Sequence, residues 1–135
     1  MKVLLIGINT KYIHPNMAIR LLKKNCDFDV DLKEFTIKDS NEKIINFIKN
    51  NEIKYDLISF SCYIWNIEKV LELTKLIKEF NNNIKILLGG PEISFEYQDI
   101  IKDKSIDFII KDEGEVTFNQ LLHALINNKD YSKID

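Results

Sequence analysis

Ile84-Lys85-Ile86-Leu87-Leu88-Gly89-Gly90-Pro91-Glu92-Ile93-Ser94 is an apolar run that breaks into two glycines and a proline. A run so short and nearly continuous predicts a strand over 84–88 covered on both faces, as strands of parallel sheets are. Paired glycines at its carboxyl end leave backbone without side chains where a ligand could approach closely. The same pair also reads simply as a turn between strand and helix.

Working outward, the pattern repeats. Residues 3–8 and 56–61 are apolar runs of the same kind, and Ile106-Asp107-Phe108-Ile109-Ile110 is a third. Residues 29–35 set Val30, Leu32 and Glu34 against Asp31, Lys33 and Phe35, a period of two that suits an edge strand. Helical stripes lie between. Pro15 opens one with Met17, Ala18, Leu21 and Leu22, reaching about Lys24. Asp39-Ser40-Asn41-Glu42 starts a second, with Ile44, Ile45, Phe47 and Ile48 as its buried face. Asn66 caps a third, with Ile67, Val70, Leu71, Thr74 and Ile77 at helical spacing. Ser94 starts a short one through Ile100 and Ile101, and a final helix carries Phe118, Leu121, Leu122, Leu125 and Ile126 on one side.

Strand and helix thus alternate five times, which argues for a parallel sheet between two helical layers. Right-handed crossovers then predict a three-layer, doubly wound α/β fold with strand order 2-1-3-4-5, flavodoxin-like or more broadly Rossmann-like. Ligands of such sheets bind beyond the carboxyl ends of the strands. Four loops form that edge: 9–14, 61–66, 89–94 and 112–115. The second is unusual in holding Cys62, Tyr63, Ile64 and Trp65 together, and its aromatic rings must either pack inward or cover something flat.

Composition bounds the rest. With 135 residues, 45% hydrophobic and 30% charged, the chain is expected to be one domain, 1–135, with a core of ordinary size. A net charge of −2 with both signs scattered offers no basic face to nucleic acid. No run is long enough to span a membrane. Cys26 and Cys62 are too few for a disulfide framework, which fits a reducing, cytoplasmic setting. Common occupants of the fold can be tested by residue. A phospho-accepting receiver needs an aspartate ending the third strand, where Phe60-Ser61 stands, and an acidic pair after the first, where Ile8-Asn9 stands. Gly7 alone does not make a dinucleotide fingerprint, and Thr10 alone does not make a hydroxyl-rich flavin phosphate loop.

Ser59-Phe60-Ser61-Cys62-Tyr63-Ile64-Trp65-Asn66, then Leu88-Gly89-Gly90-Pro91-Glu92, then Asp112-Glu113-Gly114-Glu115, in this order and spacing, resemble the N-terminal cobalamin-binding-type domain of radical S-adenosylmethionine enzymes, the group that includes the anaerobic magnesium-protoporphyrin monomethyl ester cyclase. The resemblance covers essentially the whole chain. It implies cobalamin as cofactor, with Ser61, Gly89, Gly90 and Gly114 against its nucleotide tail. The wider cofactor-binding set on these loops is Asn9, Thr10, Cys62, Tyr63, Pro91, Glu92 and Glu115. Cobalamin-dependent mutases carry Asp-x-His-x-x-Gly after the first strand. Here His14 has Tyr12 and Met17 at the flanking places, so it stands first as a solvated loop histidine and only second as a cobalt ligand.

The resemblance further implies a barrel domain of the same polypeptide as partner. That downstream domain would hold the iron–sulfur cluster and S-adenosylmethionine, because the chain has no Cys-x-x-x-Cys-x-x-Cys loop. It is therefore expected to be the N-terminal part of a longer radical enzyme, without catalysis alone. Two alternatives stand beside it: a cofactor-free interaction platform for the barrel, and a free-standing small-molecule or nucleotide binder.

Overall fold

The computed structural model describes residues 2–10, 22–24, 26–50, 54–63, 65–89, 104–110 and 115–126, with backbone only at 115–117. Five strands form one sheet: β1 (Val3–Asn9), β2 (Asp31–Thr36), β3 (Leu57–Ser61), β4 (Lys85–Gly89) and β5 (Phe108–Ile110). All pairings are parallel and the order is β2-β1-β3-β4-β5. This is the doubly wound order expected from the alternation of elements. Three helices of useful length are described, α1 (Asn41–Asn50), α2 (Ile67–Phe80) and α3 (Glu115–Ile126). The short helix expected after Ser94 lies outside the described residues, as does most of the one expected after Pro15.

Strands β1, β3 and β4 are apolar without alternation because each face of the sheet has its own core. Leu4, Ile6, Ile8, Ile58, Phe60, Ile86 and Leu88 pack with Ile44, Ile45 and Ile48 of α1 and Val70, Leu73 and Ile77 of α2. Val3, Leu5, Leu57, Leu87 and Ile110 pack on the other face with Phe118, Leu121 and Leu122 of α3. Side chains two apart in a strand share a face, so odd positions of β1, β3 and β4 look toward α3 and even ones toward α1 and α2.

Three details differ from the sequence reading. Strand β5 begins only at Phe108, two residues into the 106–110 run. Along α2, Leu73 is fully buried and Leu71 only partly. In α3, Ala124 is buried and Ile126 is exposed.

Local chemistry fixes the ends of the elements. The Lys43 amide donates to Ser40 Oγ at 3.1 Å, capping α1. Asp39 accepts from the Thr36 amide at 2.8 Å and pairs with Lys43 Nζ at 2.7 Å, closing the turn that joins β2 to α1. At the amino edge of the sheet, Lys78 Nζ donates to the Ile84 carbonyl at 2.6 Å and to Asp107 Oδ2 at 2.7 Å, and Asp107 also accepts from the Ile86 amide at 2.8 Å. On the surface of α3, Asp27 Oδ2 accepts from Asn119 Nδ2 at 2.9 Å and contacts His123 Nε2 at 2.7 Å, while the Asp27 amide donates to Asn119 Oδ1.

Candidate functional site

The site is built from the carboxyl ends of the strands. Register aligns Glu34 of β2 with Gly7 of β1, Gly7 with Ser61 of β3, Ser61 with Gly89 of β4, and Gly89 with Ile110 of β5. All five lie on the face that looks toward α3, since Leu5, Leu57, Leu87 and Ile110 are in that core. The three central strands thus end in a row of two glycines and a serine. No bulky side chain rises from the middle of this row, and its two ends carry a carboxylate and an isoleucine.

Ser61 sits in the centre of the row and is 5% exposed. Its Oγ is buried and has no hydrogen-bond partner among the described residues. Buried hydroxyls are nearly always paired, because stripping water from one without replacement costs about 1–3 kcal/mol. The neighbouring Gly89 is not forced by packing: a Cβ there would meet only the Ile110 carbonyl, at 3.6 Å, an ordinary contact. A floor of small residues around an unpaired donor and acceptor fits the tail of a nucleotide-bearing cofactor, which needs close approach and a polar contact.

Asn9 ends β1 on the same face. It is buried, its Nδ2 donates to Glu34 Oε1 at 3.3 Å, and its carbonyl accepts from the Ile37 amide at 2.8 Å. Thr10 follows it, exposed. Cys62 belongs to the opposite face: fully buried with the α1 and α2 core, its amide donates to the Gly89 carbonyl and its Sγ makes a long contact of 3.9 Å with the Phe60 carbonyl. Ser61 and Cys62, neighbours in sequence, are therefore parted by the sheet. Tyr63 is half-buried and stacks on Trp65, with centroids 4.5 Å apart and rings 3° from parallel. Trp65 remains 47% exposed and donates Nε1 to the Ile8 carbonyl at 3.3 Å. Glu115 begins α3. Gly90, Pro91, Glu92, Gly114 and His14 lie outside the described residues, so this edge is described from Asn9, Ser61 and Gly89 and their neighbours.

Two positions at this edge escape a reading of the sequence. Gly7 enters the row only through strand register, and no local motif marks it. Asn66 holds the helix-start position expected of it, but its side chain makes no cap bond. Instead Oδ1 accepts from the Tyr63 amide at 2.8 Å, and Nδ2 donates to the Ile8 and Ser61 carbonyls at 3.0 and 3.1 Å. One buried carboxamide thus ties the ends of β1 and β3 to the loop before α2.

An all-parallel sheet in the order β2-β1-β3-β4-β5 with helices packed on both faces defines a doubly wound α/β domain. Within that class the assignment is specific: residues 3–122 match the model of the B12 binding domain, and the chain belongs to that family. The chain is 31% identical over 84 residues to the cobalamin-dependent radical SAM methyltransferase TokK of Streptomyces tokunonensis, covering 61% of this chain and 12% of that protein. Against the anaerobic magnesium-protoporphyrin IX monomethyl ester cyclase of Synechocystis sp. it is 39% identical over 67 residues, covering 49% of this chain and 13% of the cyclase. Its fold matches that of the radical S-adenosylmethionine methyltransferase TsrM from Kitasatospora setae, solved with cobalamin and a [4Fe-4S] cluster bound, with a TM-score of 0.80 at 18% identity over all of this chain and 28% of that one. The chain thus spans only a small part of the length of these proteins. Among the described residues, no helix is long and apolar enough to cross a membrane, and no group of three or more metal-ligating side chains is gathered.

Proposed function

We propose that this chain is the cobalamin-holding domain of a longer radical S-adenosylmethionine enzyme, with no catalysis of its own. The observation that carries the reading is the buried, unpaired Ser61 hydroxyl in the middle of the Gly7–Ser61–Gly89 row. Membership of the B12 binding family supports it, as do relatives described as cobalamin-dependent. In this reading Ser61 and Gly89 receive the nucleotide tail, with Gly90 and Gly114 beside them, while Asn9, Thr10, Tyr63, Pro91, Glu92 and Glu115 border the cofactor. A bound cobalamin supplies the cobalt chemistry; the chain holds the tail, orients the ring and presents it to a barrel domain of the same polypeptide. That barrel would carry the iron–sulfur cluster and S-adenosylmethionine. A cytoplasmic location goes with this reading.

Trp65 is the only tryptophan and stands at the same edge, so its emission reports directly on occupancy. Titrating the 135-residue chain with hydroxocobalamin is expected to quench that emission saturably and to release or absorb heat in step. Absence of both signals at high micromolar cofactor would remove the reading.

Trp65 and Ile37, 47% and 40% exposed, favour a second reading. They line an open groove with Asn41, Glu68, Lys69 and Glu72, which makes the edge an interaction face for the barrel without any cofactor. That reading predicts association with a separately produced barrel domain and no response to hydroxocobalamin.

A further inference from the structure

The groove between the starts of α1 and α2 gathers an aromatic face, an aliphatic wall and a carboxylate. Ile37 and Trp65 are exposed large apolar residues of its lining, whereas Leu76 and Ile126, also exposed, lie outside it. Trp65 is held in place: Nε1 donates to the Ile8 carbonyl at 3.3 Å, and Tyr63 stacks parallel to the indole with centroids 4.5 Å apart. Tyr63 covers one face of the indole, which leaves the opposite face to solvent. Asn41 sorts the charges of the groove. Its Oδ1 accepts from Lys69 Nζ at 2.8 Å and its Nδ2 donates to Glu72 Oε2 at 2.9 Å, so one carboxamide holds both a cation and an anion of α2. Glu68, exposed and four residues before Glu72, has no partner among the described residues. It suits the helix dipole in the first turn of α2, but like charges four apart on a helix are mildly destabilising. With Lys69 occupied, the groove shows net negative charge beside a preset indole.

We propose that this groove receives an arginine side chain from the barrel domain of the same polypeptide. Its guanidinium lies flat on the free indole face and donates to the Glu68 carboxylate, while its methylene stem passes along Ile37. A guanidinium is planar and weakly hydrated, so it stacks and forks at once, which a compact ammonium does not. Tryptophan and arginine are also the residues that most often dominate protein interfaces. The match spans 12% of TokK and 13% of the cyclase, so a domain of this size has the rest of a long polypeptide as its neighbour. The inference rests on the barrel that both functional readings share and adds to it the place and chemistry of docking. It does not depend on bound cofactor.

The test measures binding of the separately produced barrel domain to the 135-residue chain and to Trp65→Ala, Trp65→Phe, Glu68→Gln and Leu76→Ala. Trp65→Ala is expected to weaken association by about 30-fold, and Trp65→Phe, which keeps a flat ring, by less. Glu68→Gln is expected to weaken it roughly 10-fold at low salt and little at about 1 M salt, where the charge is screened. Leu76→Ala, outside the groove, is expected to change nothing. Melting curves identify any variant that fails to fold. Phenylglyoxal labelling mapped by mass spectrometry should show a barrel arginine protected by the unaltered chain and not by Trp65→Ala. Association indifferent to both Trp65→Ala and Glu68→Gln, or no protected arginine, would overturn the docking site while leaving the barrel partnership in place. Self-association of the 135-residue chain that Trp65→Ala abolishes would assign the groove to a second copy and also overturn it. Failure of the unaltered chain to bind the barrel would remove the partnership and this inference together, leaving cobalamin binding to its own titration.

Discussion

A serine hydroxyl buried without a partner is a standing cost to a fold, and among the described residues Ser61 has none at the centre of the sheet. The fold gains nothing visible in return, since the Ser61 backbone already serves the structure through its carbonyl. Two substitutions separate stability from binding. Ser61→Ala removes only an unpaired hydroxyl and is expected to leave stability within about 0.5 kcal/mol or raise it by up to about 1 kcal/mol, as read from denaturant midpoints. Ser61→Leu is expected to leave the row blocked and to abolish hydroxocobalamin binding. A Ser61→Ala chain destabilised by several kcal/mol would show that the hydroxyl is already satisfied within the folded protein. That the sequence could point to Ser61 and Gly89 but not to Gly7 has a physical cause. The first two end apolar runs beside conspicuous loops, whereas Gly7 lies inside a strand and acquires neighbours only when crossovers set the register.

The elements meet at Asn66. Helix α2 needs no side-chain cap from it, and the carboxamide instead spans the Ile8 and Ser61 carbonyls and the Tyr63 amide. Sequence chemistry marks asparagine as a helix start but cannot distinguish local capping from a bond to a strand 58 residues away. Replacing it with alanine leaves buried backbone groups short of partners. Asn66→Ala is expected to lower stability by about 2–3 kcal/mol, with a corresponding fall in denaturant midpoint. Loosening this tie should also increase hydrogen exchange at the ends of β1 and β3 before it affects the amino edge, where Lys78 and Asp107 are unchanged. Uniform exchange across the sheet would place the tie elsewhere.

At the scale of the molecule, the alternating pattern of apolar runs and helical stripes was enough to read the five strands, their parallel pairing and their order, because the central strands are covered on both faces. The length of β5, the burial of Leu73 and the end of the α3 stripe were not legible, since these depend on which neighbour covers which turn. Neither was the clasp that joins residue 27 to α3. There the Asp27 carboxyl is held below the ordinary carboxylate range, first by its hydrogen bond from Asn119 and then by that from His123. A lowered folded-state value stabilises the fold fully above about pH 4 and is lost as pH falls through that lowered value. Asp27→Asn is accordingly expected to flatten the acid limb of melting temperature against pH and to leave neutral-pH dependence alone; an unchanged limb would assign acid sensitivity to other carboxylates. The central claim concerns the edge above α3, where the Gly7–Ser61–Gly89 row would receive a cofactor's tail. Amide nitrogen–proton correlation spectra of the labelled chain, recorded with and without diamagnetic hydroxocobalamin, test it most directly. Large shifts at Gly7, Ser61 and Gly89, with little change at Asn41, Glu68 and Glu72, are predicted. Shifts gathered at Ile37, Asn41, Glu68 and Glu72 instead, or none at excess cofactor, would contradict it.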